Sequence, residues 1–229
     1  MKTKMITDFS GFSRKTVAYL KNLERNNNKH WFETHRSEYE EHLLGPMRAL
    51  VVRLAPAMLG IDPFLDVRPS IDKTISRIHR DIRFSKDKSP YRTTLWIAFK
   101  RSSKDWKQDP TYAMEFSERG YWYGMGFYQA SRRTMDNLRA IIDDKPERFL
   151  EAIEFMKSGG FELGGDKYKR IIDPSKTGVL ADWYQRRNCY VFRKSRLDDV
   201  FFSDKLAAEM TRSFNEMKPL YEIFWLARS

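Results

Sequence analysis

The stretch Tyr112–Tyr128 reads YAMEFSERGYWYGMGFY, and its two halves are alike. Tyr112–Ser117 and Tyr121–Tyr128 are strand-like runs rich in aromatic residues. Between them SERG has the composition of a tight turn. Strands joined by so short a connection pair antiparallel, because a parallel pair needs a crossover of a dozen or more residues. Two further runs share this character: TLWIAFK (Thr94–Lys100) and CYVFRK (Cys189–Lys194). The polar loop RSSKDWKQDP joins the first of these to the hairpin.

Helical patterns lie on both sides of this sheet. Ser13 is placed as an N-cap, with Phe12 and Val17 spaced as a hydrophobic staple and Leu20 and Leu23 continuing the apolar face. The asparagines of RNNN predict the stop, through the left-handed conformation that asparagine tolerates. A second helical region starts near His30 with Trp31 and Phe32. Gly45-Pro46 predicts a break, followed by a helix through MRALVVRLAPAML. Beyond the hairpin, Ser131 is a candidate N-cap for a helix carrying Met135, Leu138 and Ile142 on one face. DKPERFLEAIEFMKSGG reads as another helix, and one or two more follow from about Asp198. The expectation is an α+β fold with a helical N-terminal third, a central antiparallel sheet and further helices toward the C-terminus. No fixed-period repeat or low-complexity linker interrupts the chain, which predicts a single α+β domain over residues 1–229.

Composition narrows the function classes. Of 229 residues, 41% are hydrophobic, enough for a packed core, and the formal charge of +11 favours anionic partners. One cysteine, Cys189, excludes an internal disulfide or a cysteine cluster, and it sits in an apolar strand pattern rather than as a reactive thiolate. MKTKMITDFSGF lacks a signal-peptide core, and the longest apolar run, ALVVRLAPAML, is broken by Arg53 and Pro56, so a cytoplasmic protein without membrane insertion is expected. His30, His35, His42 and His79 do not have metal-ligand spacing. No signature of a metal, a nucleotide cofactor or a nucleophile elbow is present.

The chemistry-bearing segment is Ile75–Arg92, ISRIHRDIRFSKDKSPYR. It holds Arg77, Arg80, Arg83, Lys86, Lys88 and Arg92, opposed by Asp81 and Asp87 alone, on an apolar frame of Ile75, Ile78, Ile82 and Phe84. Read as a strand or as a helix, the isoleucines anchor a row of cations to the core. Such anchoring lowers the entropy cost of presenting the row to a phosphate or carboxylate. Ser89-Pro90 suits a helix N-cap and first turn, itself an anion-binding feature. A structural reading is a solvated face laced with local Arg–Asp ion pairs, and three functional readings stand beside it. One is an anion-binding surface with nucleic acid as the polyanion, where Trp96, Trp106, Tyr121, Trp122 and Tyr123 are available for stacking, although aromatics in strands are more often core. Another is an enzyme acting on a phosphorylated or acidic small molecule, with Asp81 as base or orienting group and Tyr91 as proton donor. The third is a module docking an acidic protein partner.

Ser76–Thr93, SRIHRDIRFSKDKSPYRT, resembles the signature of an uncharacterised family known as domain of unknown function 2461. Leu23–Glu40 (LERNNNKHWFETHRSEYE), the following GPM and the altered glycine-aromatic GMGFY resemble its other motifs. The resemblance carries no agreed activity, substrate or cofactor. It marks Asn27, Arg36, Arg77, Arg80, Asp81, Arg83, Ser85, Lys86, Asp87, Lys88 and Tyr91 as matched polar positions. His79 departs from it, standing where an aromatic is usual. KYKRIID, with Lys169 and Arg170, matches a later motif only loosely. The candidate ligand-binding residues are therefore Arg77, Arg80, Arg83, Lys86, Lys88, Arg36 and Asn27.

Overall fold

The computed structural model describes residues 8–228; the reading of the first seven residues lies outside it. It has an α+β fold: an N-terminal helical region, a central five-stranded antiparallel sheet and C-terminal helices. The strands are β1 (Leu95–Phe99), β2 (Pro110–Ser117), β3 (Gly120–Phe127), β4 (Glu162–Gly164) and β5 (Tyr190–Ser195), in the order β1-β2-β3-β5-β4. β2 and β3 form the expected hairpin. Their alternation buries Tyr112, Met114, Phe116, Tyr121, Tyr123 and Phe127. Tyr121 and Tyr123 are thus core residues, the commoner place for strand aromatics, and not stacking platforms. Gly124 and Gly126 lie where a Cβ would meet the β5 backbone, 2.0 Å from the Val191 carbonyl oxygen and 2.3 Å from Tyr190 Cα, so close strand approach explains the GMG run.

The N-terminal helices are α1 (Arg14–Arg25), α2 (Lys29–Thr34), α3 (Arg36–Tyr39) and α4 (Gly45–Ile61). Ser13 caps α1 in a reciprocal box with Thr16, which takes the place of the usual Glu. α1 stops at Asn26, but with φ −123 rather than in the left-handed region, and Asn28 then caps α2 through the Trp31 amide. The break expected at Gly45-Pro46 is absent. Helical turns continue from Arg36 to Ile61 through a wider π-turn at Glu40–Leu44. Pro46 has no N–H to give the His42 carbonyl four residues back. Thr16 Oγ1 donates to that carbonyl at 2.7 Å, so α1 compensates the proline. This long helix is apolar enough to cross a membrane by length and composition, yet Leu43, Met47, Leu50, Val51, Leu54 and Met58 are buried in the protein core.

The remaining helices are α5 (Arg132–Asp144), α6 (Pro146–Ala152), α7 (Phe155–Ser158), α8 (Gly178–Tyr184), α9 (Lys205–Glu216) and α10 (Lys218–Arg228). Ser131 caps α5 as expected. The single helix expected over DKPERFLEAIEFMKSGG is two short ones. Around Ile153 the bonds tighten to three-residue spacing, with Met156 N donating to Ile153 O at 3.0 Å, and Gly160 ends the segment at φ +64. β4 and α8 have no counterpart in the sequence reading.

The chain groups into two compact units. One comprises residues up to Phe99 with Met114–Trp122 and Ser195–Thr211. Its core includes Phe12 stacked on Phe201 at 4.8 Å, with Phe116 4.6 Å from Phe12. Gly11 makes this docking feasible: its φ is +103, and a Cβ there would lie 2.4 Å from the Ser203 amide nitrogen. The other comprises Lys100–Ala113, Tyr123–Lys194 and the chain from Arg212. In it Tyr112 packs between Phe214 and Tyr221, at 5.0 Å from each, and Phe127 stacks on Phe224 at 4.7 Å. A buried Asp109 accepts from Arg228 Nε at 2.9 Å, tying down the end of α10.

Candidate functional site

The basic segment is neither a regular strand nor a helix. Residues 74–80 run antiparallel to residues 90–98, joined by Ala98 N to Thr74 O (2.8 Å), Ser76 N to Trp96 O (3.0 Å), Arg92 N to Ile78 O (2.8 Å) and Arg80 N to Pro90 O (2.8 Å). Residues 81–89 form the tip of this irregular hairpin. Two aspartates shape it by accepting from amides two residues on: Asp81 from Arg83 N at 3.2 Å, and Asp87 from Ser89 N at 2.9 Å. Such side-chain turns compete with regular structure, which is why neither periodicity prevails. Ser89-Pro90 starts no helix; it leads into Tyr91, which bridges His79.

The apolar frame holds at the base only. Ile75 and Ile78 are buried and Ile82 is half-buried, while Phe84 is 96% exposed at the tip, not on the anchored face. The base is locked from α1–α2. Asn27 Nδ2 donates to Tyr91 O and Asn27 Oδ1 accepts from Tyr91 N, both at 2.9 Å, imitating one rung of a β-ladder. Phe32 stacks on the Tyr91 ring at 4.2 Å, and His79 packs 5.1 Å from Tyr91 and 5.9 Å from Phe32. His79 therefore fills a place in a cluster of aromatic rings. The motif around Asn27 and the motif around Tyr91 thus meet.

Three arginines of the segment, Arg77, Arg80 and Arg83, each pair with an aspartate. Arg77 Nε lies 3.0 Å from Asp72. Arg80, at 24% the least exposed of these three, pairs with Asp87 and donates to the Ser89 carbonyl at 3.1 Å. Arg83 grips Asp81 with two bonds, at 3.0 and 2.7 Å. Lys88 Nζ donates to Ile82 O at 3.0 Å, and Lys86 is exposed, with no ion-pair partner among the described residues. Arg92 lies over the Trp96 ring at 4.8 Å. The hydrogen bonds from Arg83 hold the Asp81 carboxyl at about 2. Those from Ser89 and then Arg80 hold Asp87 at about 2 as well. Both remain ionised near neutral pH. Tyr91 is buried, and desolvation raises its pKa.

Arg36 lies outside the hairpin. It takes Glu33 in a two-bond pair (3.0 and 2.7 Å) and sits over the Phe32 ring at 5.2 Å. Two partners were missed in the sequence, Glu33 of Arg36 and Tyr91 of Asn27, while local Arg–Asp pairing was among the expected readings. Glu33 was legible from its i, i+3 spacing to Arg36 on a helix. Asp81–Arg83 follows from the aspartate turn. The Asn27–Tyr91 lock spans 64 residues and has no local signal.

A search of curated proteins found no match. The model of the family described as "Conserved hypothetical protein (DUF2461)" matches residues 15–223, nearly the whole chain including both motifs that meet at Tyr91, and the chain belongs to that family.

Proposed function

We propose that the protein binds an extended polyanion, single-stranded nucleic acid, on the tip of the hairpin. The observation that carries this reading is Phe84, 96% exposed among Arg83, Lys86 and Lys88. An exposed phenylalanine forgoes about 1.5–3 kcal/mol of burial, and beside cations it has the form of a stacking residue for a base. Six cations against two aspartates give Ile75–Arg92 a local surplus of four positive charges. Arg77 and Arg83 are 65% and 76% exposed, and solvent screens exposed ion pairs so that they hold only weakly. Phosphates can therefore exchange for Asp72 and Asp81 at small cost.

The geometry gives less support to Asp81 as a general base. A base working near neutral pH needs a pKa near that pH, and Asp81 stands at about 2, exposed and gripped by its own neighbour.

The test is fluorescence anisotropy of labelled single- and double-stranded oligonucleotides at two salt concentrations. Wild type is expected to bind single strands with strong salt dependence. The Arg77→Ala/Arg83→Ala variant should lose most of that binding while keeping its fold. Binding unchanged in the variant, or none in wild type, would overturn the proposal. Binding of an acidic peptide in place of oligonucleotides would assign the tip to a protein partner.

A further inference from the structure

The run KYKRIID, Lys167–Asp173, takes no part in the proposal above. It belongs to residues 166–177, between β4 and α8, none of which is buried. Ile171 is 67% exposed and Ile172 40%. The stretch is held to the fold mainly by polar attachments, and Gln185, just beyond α8, makes most of them. Its Nε2 donates to the carbonyls of Tyr168 at 2.6 Å and Arg170 at 2.7 Å, and its Oε1 accepts from the Ile172 amide at 3.2 Å. Its own carbonyl accepts from the Tyr168 amide at 3.0 Å. One residue thus serves the alternate positions 168, 170 and 172, as a neighbouring strand would. Two lysines pin the ends: Lys167 Nζ meets Asp182 on α8 and Lys176 Nζ meets Asp143 on α5, both at 2.5 Å.

A glycine bounds the stretch on each side. Gly165 has φ +111 and Gly178 φ +59, conformations that side-chain-bearing residues rarely adopt. A Cβ at Gly165 would lie 1.8 Å from the Asn188 carbonyl oxygen, whereas one at Gly178 would meet nothing within 4 Å. What the stretch covers is cationic. The Tyr168 ring lies 5.6 Å from the guanidinium of the buried Arg139 and 5.6 Å from that of Arg187. Segments with little buried surface and few fastenings open at lower free energy than the core, and hinges fall on the residues that can absorb large dihedral changes.

We infer that residues 166–177 form a strap that opens as one unit about Gly165 and Gly178 while the rest of the fold stays closed, with Gln185 as its latch. Opening lifts the Tyr168 ring away from Arg139 and Arg187. The strap is a conformational device separate from the hairpin tip, and it does not rest on nucleic-acid binding there.

Native-state hydrogen exchange of the full chain, read at single amides by NMR, tests this. Three amides report on the attachment: Tyr168 and Ile172 donate from the strap, and Arg187 donates to the Asp166 carbonyl at 2.7 Å. In wild type they should share one opening constant, larger than that of the Phe127 amide, which donates to Cys189 across the sheet. Gln185→Ala removes three bonds. It should raise the shared constant about tenfold or more and leave Phe127 unchanged. The Arg187 bond does not involve Gln185, so its acceleration is the mark of a strap that opens whole. Gly178→Ala adds backbone strain without a clash, and turning at the hinge relieves that strain. This variant should raise the same constant about fivefold or more. Acceleration confined to Ile172 in Gln185→Ala would overturn the inference, because Gln185 would then support one bond and no unit. Strap amides that exchange in step with Phe127 would overturn it too, since the segment would open only with the whole protein. Strap exchange unchanged by Gly178→Ala would overturn the hinge.

Discussion

The base and the tip of the hairpin are built by opposite means. The base is held from afar: Asn27 clamps Tyr91 across 64 residues, Phe32 stacks on its ring, and Ile75 and Ile78 enter the core. The tip is held from nearby: Asp81 serves Arg83 two residues away, and Asp87 serves Ser89 and Arg80. A rigid base fixes where the cations stand. A tip made of exposed short-range pairs leaves those cations exchangeable. On the proposed function, presentation falls to the base and recognition to the tip, and changes in each part should have different consequences.

The largest expected effect is on the base. Ile78→Ala removes a buried side chain and should cost about 2–5 kcal/mol in denaturant unfolding. A loss comparable to a surface change would mean that Ile78 is not an anchor. Asn27→Ala follows. It strands the N–H and C=O of Tyr91 and should cost about 1–3 kcal/mol, with faster hydrogen exchange at the Tyr91 and Arg92 amides. Undisturbed exchange there would remove the lock from the account.

Changes at the tip should spare the fold and affect binding. Phe84→Ala should alter stability by no more than about 0.5 kcal/mol, while single-strand affinity falls by about 1–3 kcal/mol. The smallest effect is that of pH. Asp81 and Asp87 have pKa values lowered to about 2 in the folded protein, so their pairs contribute fully above the ordinary carboxylate range. That contribution is lost as pH falls from about 4 toward about 2. Carboxyl NMR titrations should show both midpoints near 2, and a midpoint near 4 would mean that the tip pairs do not form in solution.

The base-and-tip division also shows how much was legible in the sequence. The β2–β3 hairpin and the Ser13 and Ser131 caps were readable because their signals are local: alternation, a short turn, a hydroxyl three residues from an amide. The π-turn before Pro46 was not. It depends on Thr16, which reaches the His42 carbonyl from another helix. In the candidate site the cations and the buried Ile75 and Ile78 were legible, but the place of Phe84 was not. Aspartate turns override periodicity at the tip, and an apolar residue read by spacing alone was assigned to the anchored face. Asn27 was marked by resemblance as a ligand-binding candidate. Its geometry gives it the work of holding Tyr91, a role that only a contact distant in sequence reveals.

The most direct test of the central claim is an amide NMR titration of the protein with a short single-stranded oligonucleotide. The account predicts shifts concentrated on residues 81–88, with Phe84 among the largest, while Ile75, Ile78 and Tyr91 stay in place. Shifts centred elsewhere, or a base that moves as much as the tip, would contradict it.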